Sequence, residues 1–147
     1  MNNTIIEKLK SIPHAVAVVE CPEHIACNPC STVCKFGAIT VPKVDDLPIV
    51  DMDKCTGCTQ CLQICPGLAI YMLKVTDDYA EMSVPYEFLP MPEKDDAVTI
   101  LSRTGEKLGK GTVTRILKRE NSIGDTAVVT VRMDTSLALE ARDILVE

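Results

Sequence analysis

The sequence predicts an α+β chain: a helix over residues 1–12, a pseudo-twofold domain organised by cysteines over 13–92, and a small all-β, barrel-like domain over 93–147. Three observations lead there. All eight cysteines fall between Cys21 and Cys65, in two quartets with none left over. Cys27, Cys30 and Cys34 align with Cys58, Cys61 and Cys65 at one offset, 31 residues (58 minus 27), which is an internal repeat. From Asp96 onward the chain turns to short β-branched runs between turn residues and contains neither cysteine nor histidine.

The elements follow in order. Thr4 and Glu7 are spaced as a capping box, and Ile5, Ile6, Leu9 and Ile12 recur at helical spacing, so a short amphipathic helix is expected to lay its apolar face on the domain's own strand, Ala15 to Val19. It is too short to span a membrane. In the repeat, Gly37, Ala38 and Ile39 fall on Leu68, Ala69 and Ile70, so each half offers a cysteine-bearing loop and a short helical turn. Residues 76–93 hold three prolines and three of the five aromatics and read as a trailing strand and then a linker, with Tyr86, Phe88, Leu89 and Met91 packing on the molecule. Beyond it, AVTILS, KGTVTRILKR and TAVVTVRM read as strands. They are separated by turns containing Thr104 and Gly105, and Gly124 and Asp125. Residues 137–146, LALEARDILV, are expected to close the domain as a helix.

Residues 55–66, CTGCTQCLQICP, carry the chemistry. Three cysteines at a three-residue step, a fourth four residues later and then a proline form the run that ligates an iron–sulfur cube, with the fourth cysteine serving a second cluster. Zinc knuckles instead pair two CxxC or CxxH units across a longer loop. Disulfide frameworks suit small secreted chains, whereas this chain opens MNNTIIEKLK without an apolar signal segment.

On these residues the chain resembles the two-cluster bacterial ferredoxins over about residues 13–90. The resemblance implies two 4Fe-4S clusters with crossing ligands: Cys21, Cys27, Cys30 and Cys65 for cluster 1, and Cys55, Cys58, Cys61 and Cys34 for cluster 2. The first motif departs from the pattern. Five residues, PEHIA, separate Cys21 from Cys27, and Lys35 stands where Pro66 follows the other crossing cysteine, so the first cluster is expected to be more exposed and the two potentials to differ. His24 lies inside the longer loop and is read as solvated, because Cys21 already completes a quartet of softer ligands. His14 carries still less signal.

Composition fits a carrier. Residues 1–92 hold six basic against eleven acidic residues, net −5, and residues 93–147 nine against ten, net −1; clusters and thiolates add negative charge, so a basic docking surface on a partner is expected. Asp45, Asp46, Asp51 and Asp53 read as a turn and short strand feeding Cys55, since their spacing fits no oxygen-ligand loop. The β domain has many cations but no aromatic residue to stack on bases, which argues against nucleic acid. With few aromatics, the cysteine domain is expected to draw much of its folding free energy from cluster ligation.

The full arrangement, a two-cluster unit, then FLPMP, then a short β domain ending LALEAR, is similar to the iron–sulfur subunits that accompany flavin-dependent proline, hydroxyproline and sarcosine dehydrogenases of anaerobes. That implies a non-catalytic electron-transfer subunit in a hetero-oligomer with flavoprotein dehydrogenase partners, in a reducing cytoplasm. The alternatives are a free soluble ferredoxin or a cluster-based redox sensor. No nucleophile with a base and no phosphate loop points to catalysis.

Overall fold

The computed structural model describes residues 2–12, 14–19, 29–43, 48–65, 69–86, 91–124 and 126–146, with side chains from Glu7 onward. Cys21, His24, Cys27, Asp45, Asp46, Pro66, Leu68, Phe88, Leu89 and Asp125, and the side chains of Thr4, Ile5 and Ile6, lie outside them.

The repeat organises the first half of the chain. Helix α1 (Asn2–Ser11) leads into strand β1 (Val16–Val19), helix α2 (Pro29–Val33) and strand β2 (Ile39–Thr40); the second copy is strand β3 (Ile49–Val50), helix α3 (Gln60–Ile64) and strand β4 (Ile70–Val75). Moving α2 by the repeat offset lands it on α3. The pairing obeys the same symmetry: β1 pairs with β4 so that Val19 faces Ile70, and β2 pairs with β3 so that Ile39 faces Val50, the same match with the halves exchanged. Each ribbon takes one strand from each half, so neither ribbon is complete without both halves.

Helix α1 begins at Asn2, ahead of Thr4, which corrects the capping box: Thr4 sits within the helix instead of at its N-cap. The C-terminal half behaves as its pattern requires. Leu9 and Ile12 are buried, but α1 lies against β4, the sheet neighbour of the strand Ala15 to Val19 expected to receive it, and Lys8 and Lys10 reach Asp53 and Asp77 at 2.9 and 3.0 Å.

Strand β5 (Ala80–Tyr86) pairs with β4 on one side and along its whole length with β8 (Ala127–Met133) on the other. With β6 (Ala97–Ser102), β7 (Lys107–Leu117) and β9 (Ala141–Leu145) it completes a seven-stranded antiparallel sheet, ordered β1-β4-β5-β8-β7-β6-β9. The sheet curls until β9 comes back against β5. The sequence boundary at residues 92–93 falls between β5 and β6, and the sheet runs across it. One apolar core extends from Leu9 on α1, through Leu62, Met72 and Val84, to Val113, Val129 and Ile144. Pro85 lies past Ser83, the last β5 residue paired with β4, so its missing N–H costs that ladder nothing.

The helix expected over 137–146 is a strand. A 3₁₀ turn at Thr135–Leu137 is followed by β9, whose pairing slips so that Leu101 faces Asp143 while Ser102 faces Ala141. This bulge leaves Arg142 unopposed and places the buried Ala141 and Ile144 three residues apart, the spacing of a helix face.

Candidate metal centre

The loop before α3 is wound tightly. Gly57 and Thr59 both take left-handed backbone, at φ 78° and 67°. A Cβ on Gly57 would stand 2.7 Å from the carbonyl oxygen of Ala15, so only glycine lets the loop press on the entry to β1. The same approach brings the Ala17 N–H of β1 to donate to the Cys55 sulfur at 3.3 Å. A strand of the first half thus supports a thiol of the second.

Cys34, just past α2, belongs to the first half. Burial raises its pKa, but the N–H groups of Phe36, Ala38, Ile39 and Gly37 donate to its sulfur and hold the thiol below its ordinary value. Gly37, at φ 65°, turns the backbone so that these amides converge. In the repeat-related position the Ala69 N–H points at the Cys65 sulfur at 3.5 Å. Amide donors of this kind favour anionic sulfur.

Cys34, Cys55, Cys58 and Cys61 line one small cavity of about 20 Å³, walled by Phe36, Ala38, Ile39, Thr56, Gln60 and Met72. Burial pushes the Cys61 thiol up to about 12, and the neighbouring charges of Cys55, Cys58 and Cys34 push the same way. Four thiolates cannot share such a site without cations among them. Their softness and number fit iron bridged by sulfide. Among the described residues no three His, Cys, Asp or Glu side chains gather about a point that one metal ion would occupy; a cube spreads its thiolates over separate irons.

For the other quartet the structure places two members. Cys30 is buried on α2 and Cys65 half-buried after α3, and the two helices pack together. Cys21 and Cys27 lie outside the described residues. His14 donates from Nδ1 to the Ala15 carbonyl at 2.9 Å, a local backbone contact. Asp51 and Asp53 form the turn expected of them: the Asp53 N–H donates to Asp51 Oδ1 at 3.0 Å, and the Cys55 N–H to the Asp51 carbonyl.

Two residues position the site without a functional signal in the sequence, where Gly124 reads only as a turn residue. Gln63 is buried on α3; its Nε2 donates to the Thr59 hydroxyl and its Oε1 accepts from the Ile123 N–H, both at 3.0 Å. Gly124 packs so tightly on the Gln63 carbonyl that a Cβ has no room. Together they clamp the loop between β7 and β8 onto the cysteine-bearing helix. Neither position stands out in the chain because the partners are about sixty residues apart.

A model of the 4Fe-4S dicluster domain matches residues 25–69. The chain carries a 4Fe-4S dicluster domain. The matched span takes in seven of the eight cysteines and leaves Cys21 before it, where the first motif is stretched. One subunit of the Na(+)-translocating ferredoxin:NAD(+) oxidoreductase complex of Acetobacterium woodii is 49% identical over 37 residues, which are 25% of this chain and 11% of that relative. The likeness is confined to a small part of either protein. No solved structure matches. Among the described residues no helix is long and apolar enough to cross a membrane.

Proposed function

We propose that the chain is a non-catalytic electron-transfer subunit that relays single electrons through two 4Fe-4S clusters. Cys34, Cys55, Cys58 and Cys61 hold one cluster, and Cys21, Cys27, Cys30 and Cys65 the other. The observation that carries this reading is the cavity in which Cys34 of the first half joins three thiols of the second. Clusters bound there would supply one-electron redox chemistry. The chain's own residues set its conditions: backbone amides donate to the sulfurs of Cys34, Cys55 and Cys65, holding the Cys34 thiol below its ordinary value, and Met72, Ile39 and Phe36 wall the cavity. The match to part of a ferredoxin-dependent oxidoreductase complex agrees with an electron-handling role.

The partner is a flavoprotein dehydrogenase of the amino-acid-oxidising type, in a reducing cytoplasm. This chain divides the flavin's electron pair into single steps. Protein prepared without oxygen should bind about eight irons, the content of two cubes, and show interacting paramagnetic signals on reduction. Tightly held zinc, or far less iron, would overturn the reading. Tagged protein purified from its native host should bring the flavoprotein with it; a chain that emerges alone and still reduces acceptors is a free carrier.

A further inference from the structure

The strands added after the dicluster segment bring a single charge to the cysteine loop. Cys58, the exposed one of the six described cysteines, lines both the small cavity it shares with Cys34, Cys55 and Cys61 and a separate groove of about 350 Å³. That groove lies between Gly57–Thr59 on one side and β7 and β8 on the other. Among the described residues, Arg115 is the one charged residue on its wall. Arg115 is exposed and makes no ion pair among the described residues.

A β-bulge turns Arg115 to this face. Val113 lies opposite Val131 while Arg115 lies opposite Thr130, so Thr114 is an extra residue in β7. In an unbroken ladder Thr114 would face Thr130, and Arg115 would face Val129, which is buried in the core. Directly opposite residues share one face of a sheet, and the pair Arg115 and Thr130 continues as a row through Ser83 and Met72 to Ala17. The far end of that row serves the cysteines: Met72 walls their cavity, and the Ala17 N–H donates to the Cys55 sulfur. Ser83 and Thr130 bond to each other at 2.7 Å, and Arg115 is the charge of the row. Lys35 and Lys54 adjoin cysteines along the chain but line neither the cavity nor the groove.

Resting on the two-cluster reading, we propose that Arg115 sets the reduction potential of the cluster held by Cys34, Cys55, Cys58 and Cys61, raising it by countering the negative charge that an accepted electron adds. A guanidinium keeps its charge at any working pH and favours the more negative, reduced state. Charge beside a cluster is one of the factors that place its potential. The electron comes singly from the partner's flavin and leaves singly to the acceptor, and no bond forms or breaks. Strands that carry no ligand thus act on electron transfer through one side chain, aimed by one inserted residue.

Full-length protein loaded with clusters under anaerobic conditions is titrated with dithionite in the presence of mediators, the EPR signals are followed against potential, and iron is counted in every sample. The signal that Cys34→Ser removes marks the cluster concerned. Arg115→Gln should lower its midpoint and leave the other cluster's in place, whereas Arg115→Lys, which keeps the charge, should hold the wild-type value. Arg115→Glu changes the charge by two and should lower the midpoint roughly twice as far as Arg115→Gln. Since Arg115 is exposed, the gap between wild type and Arg115→Gln should narrow as salt is raised. Lys118→Gln removes an equal charge from a wider cavity of about 880 Å³, which Arg115 borders but no described cysteine does, and should move neither midpoint. An unmoved midpoint in Arg115→Gln, equal shifts of both clusters, an Arg115→Lys protein that matches Arg115→Gln, or an equal shift from Lys118→Gln would each overturn the role of Arg115. Should Arg115→Glu fail to fold, the Gln and Lys variants decide the matter. Intact clusters with an unmoved midpoint sink this role alone, and absent clusters sink the two-cluster reading with it.

Discussion

Single residues decide whether the cysteine loop closes. Gly57 combines left-handed backbone with a backbone oxygen at its missing Cβ, so Gly57→Ala should cost on the order of 1–3 kcal/mol and leave the protein with about half its iron, read by metal analysis after anaerobic reconstitution. Gln63→Leu leaves the Ile123 N–H and the Thr59 hydroxyl without their partner; a loss of about 1–3 kcal/mol is expected in a denaturant titration. Asp143 is a different case. Burial raises its carboxyl above the ordinary 3.8, against the lowering effects of its contact with the Ile144 N–H and of Arg142. A raised acid favours the fold only while protonated, so its contribution is complete below the ordinary carboxylate pKa and lost as pH rises through the raised one. Asp143→Asn should therefore stabilise the protein at pH 7, and the gain should vanish near pH 3 in paired thermal melts.

At the scale of elements, the two helices α2 and α3 and the ribbons β1-β4 and β2-β3 exchange parts between halves. Cys34→Ser should therefore deplete the cluster held mainly by Cys55, Cys58 and Cys61, and Cys65→Ser the one held mainly by the first repeat. EPR on each variant tells which signal survives; loss of the same signal from both would exclude crossed ligation. Strand β9 is held by β6 and by the burial of Ala141 and Ile144. Ile144→Ala removes a nearly full side chain from the core and should cost about 2–5 kcal/mol, with hydrogen exchange rising first in β9.

Across the whole molecule, the sheet changes what metal removal should do. Residues 13–92, taken alone, offer a small core that depends on its clusters, and the sequence accordingly points to an unfolded apo form. The structure instead ties β1, β4 and β5 to a sheet whose other strands carry no cysteine, and buries Val84, Val113, Val129 and Val131 in it. Chelation should therefore release the loops around residues 29–38 and 55–65 while amides of β5, β7 and β8 stay protected from exchange. Uniform loss of protection along the chain would show that cluster ligation holds the entire fold. At this scale charge also divides unevenly, with net −5 over residues 1–92 and net −1 over residues 93–147.

The cysteine register was readable from the chain itself, because ligands three residues apart on a loop and short helix converge by local geometry alone. The repeat offset foretold both short helices for the same reason, since a spacing survives folding when it lies within one turn and one copy, whereas the exchange of strands between the halves came only with the sheet. What the line of residues withheld were contacts between distant positions. The clamp from Gln63 to Ile123, the pairing of β5 with β8 and the meeting of Arg115 with the Cys58 loop all depend on how the sheet curls. The closing strand was hidden because a single bulge gave it the period of a helix; only its hydrogen-bonded neighbour, β6, fixes an extended backbone there.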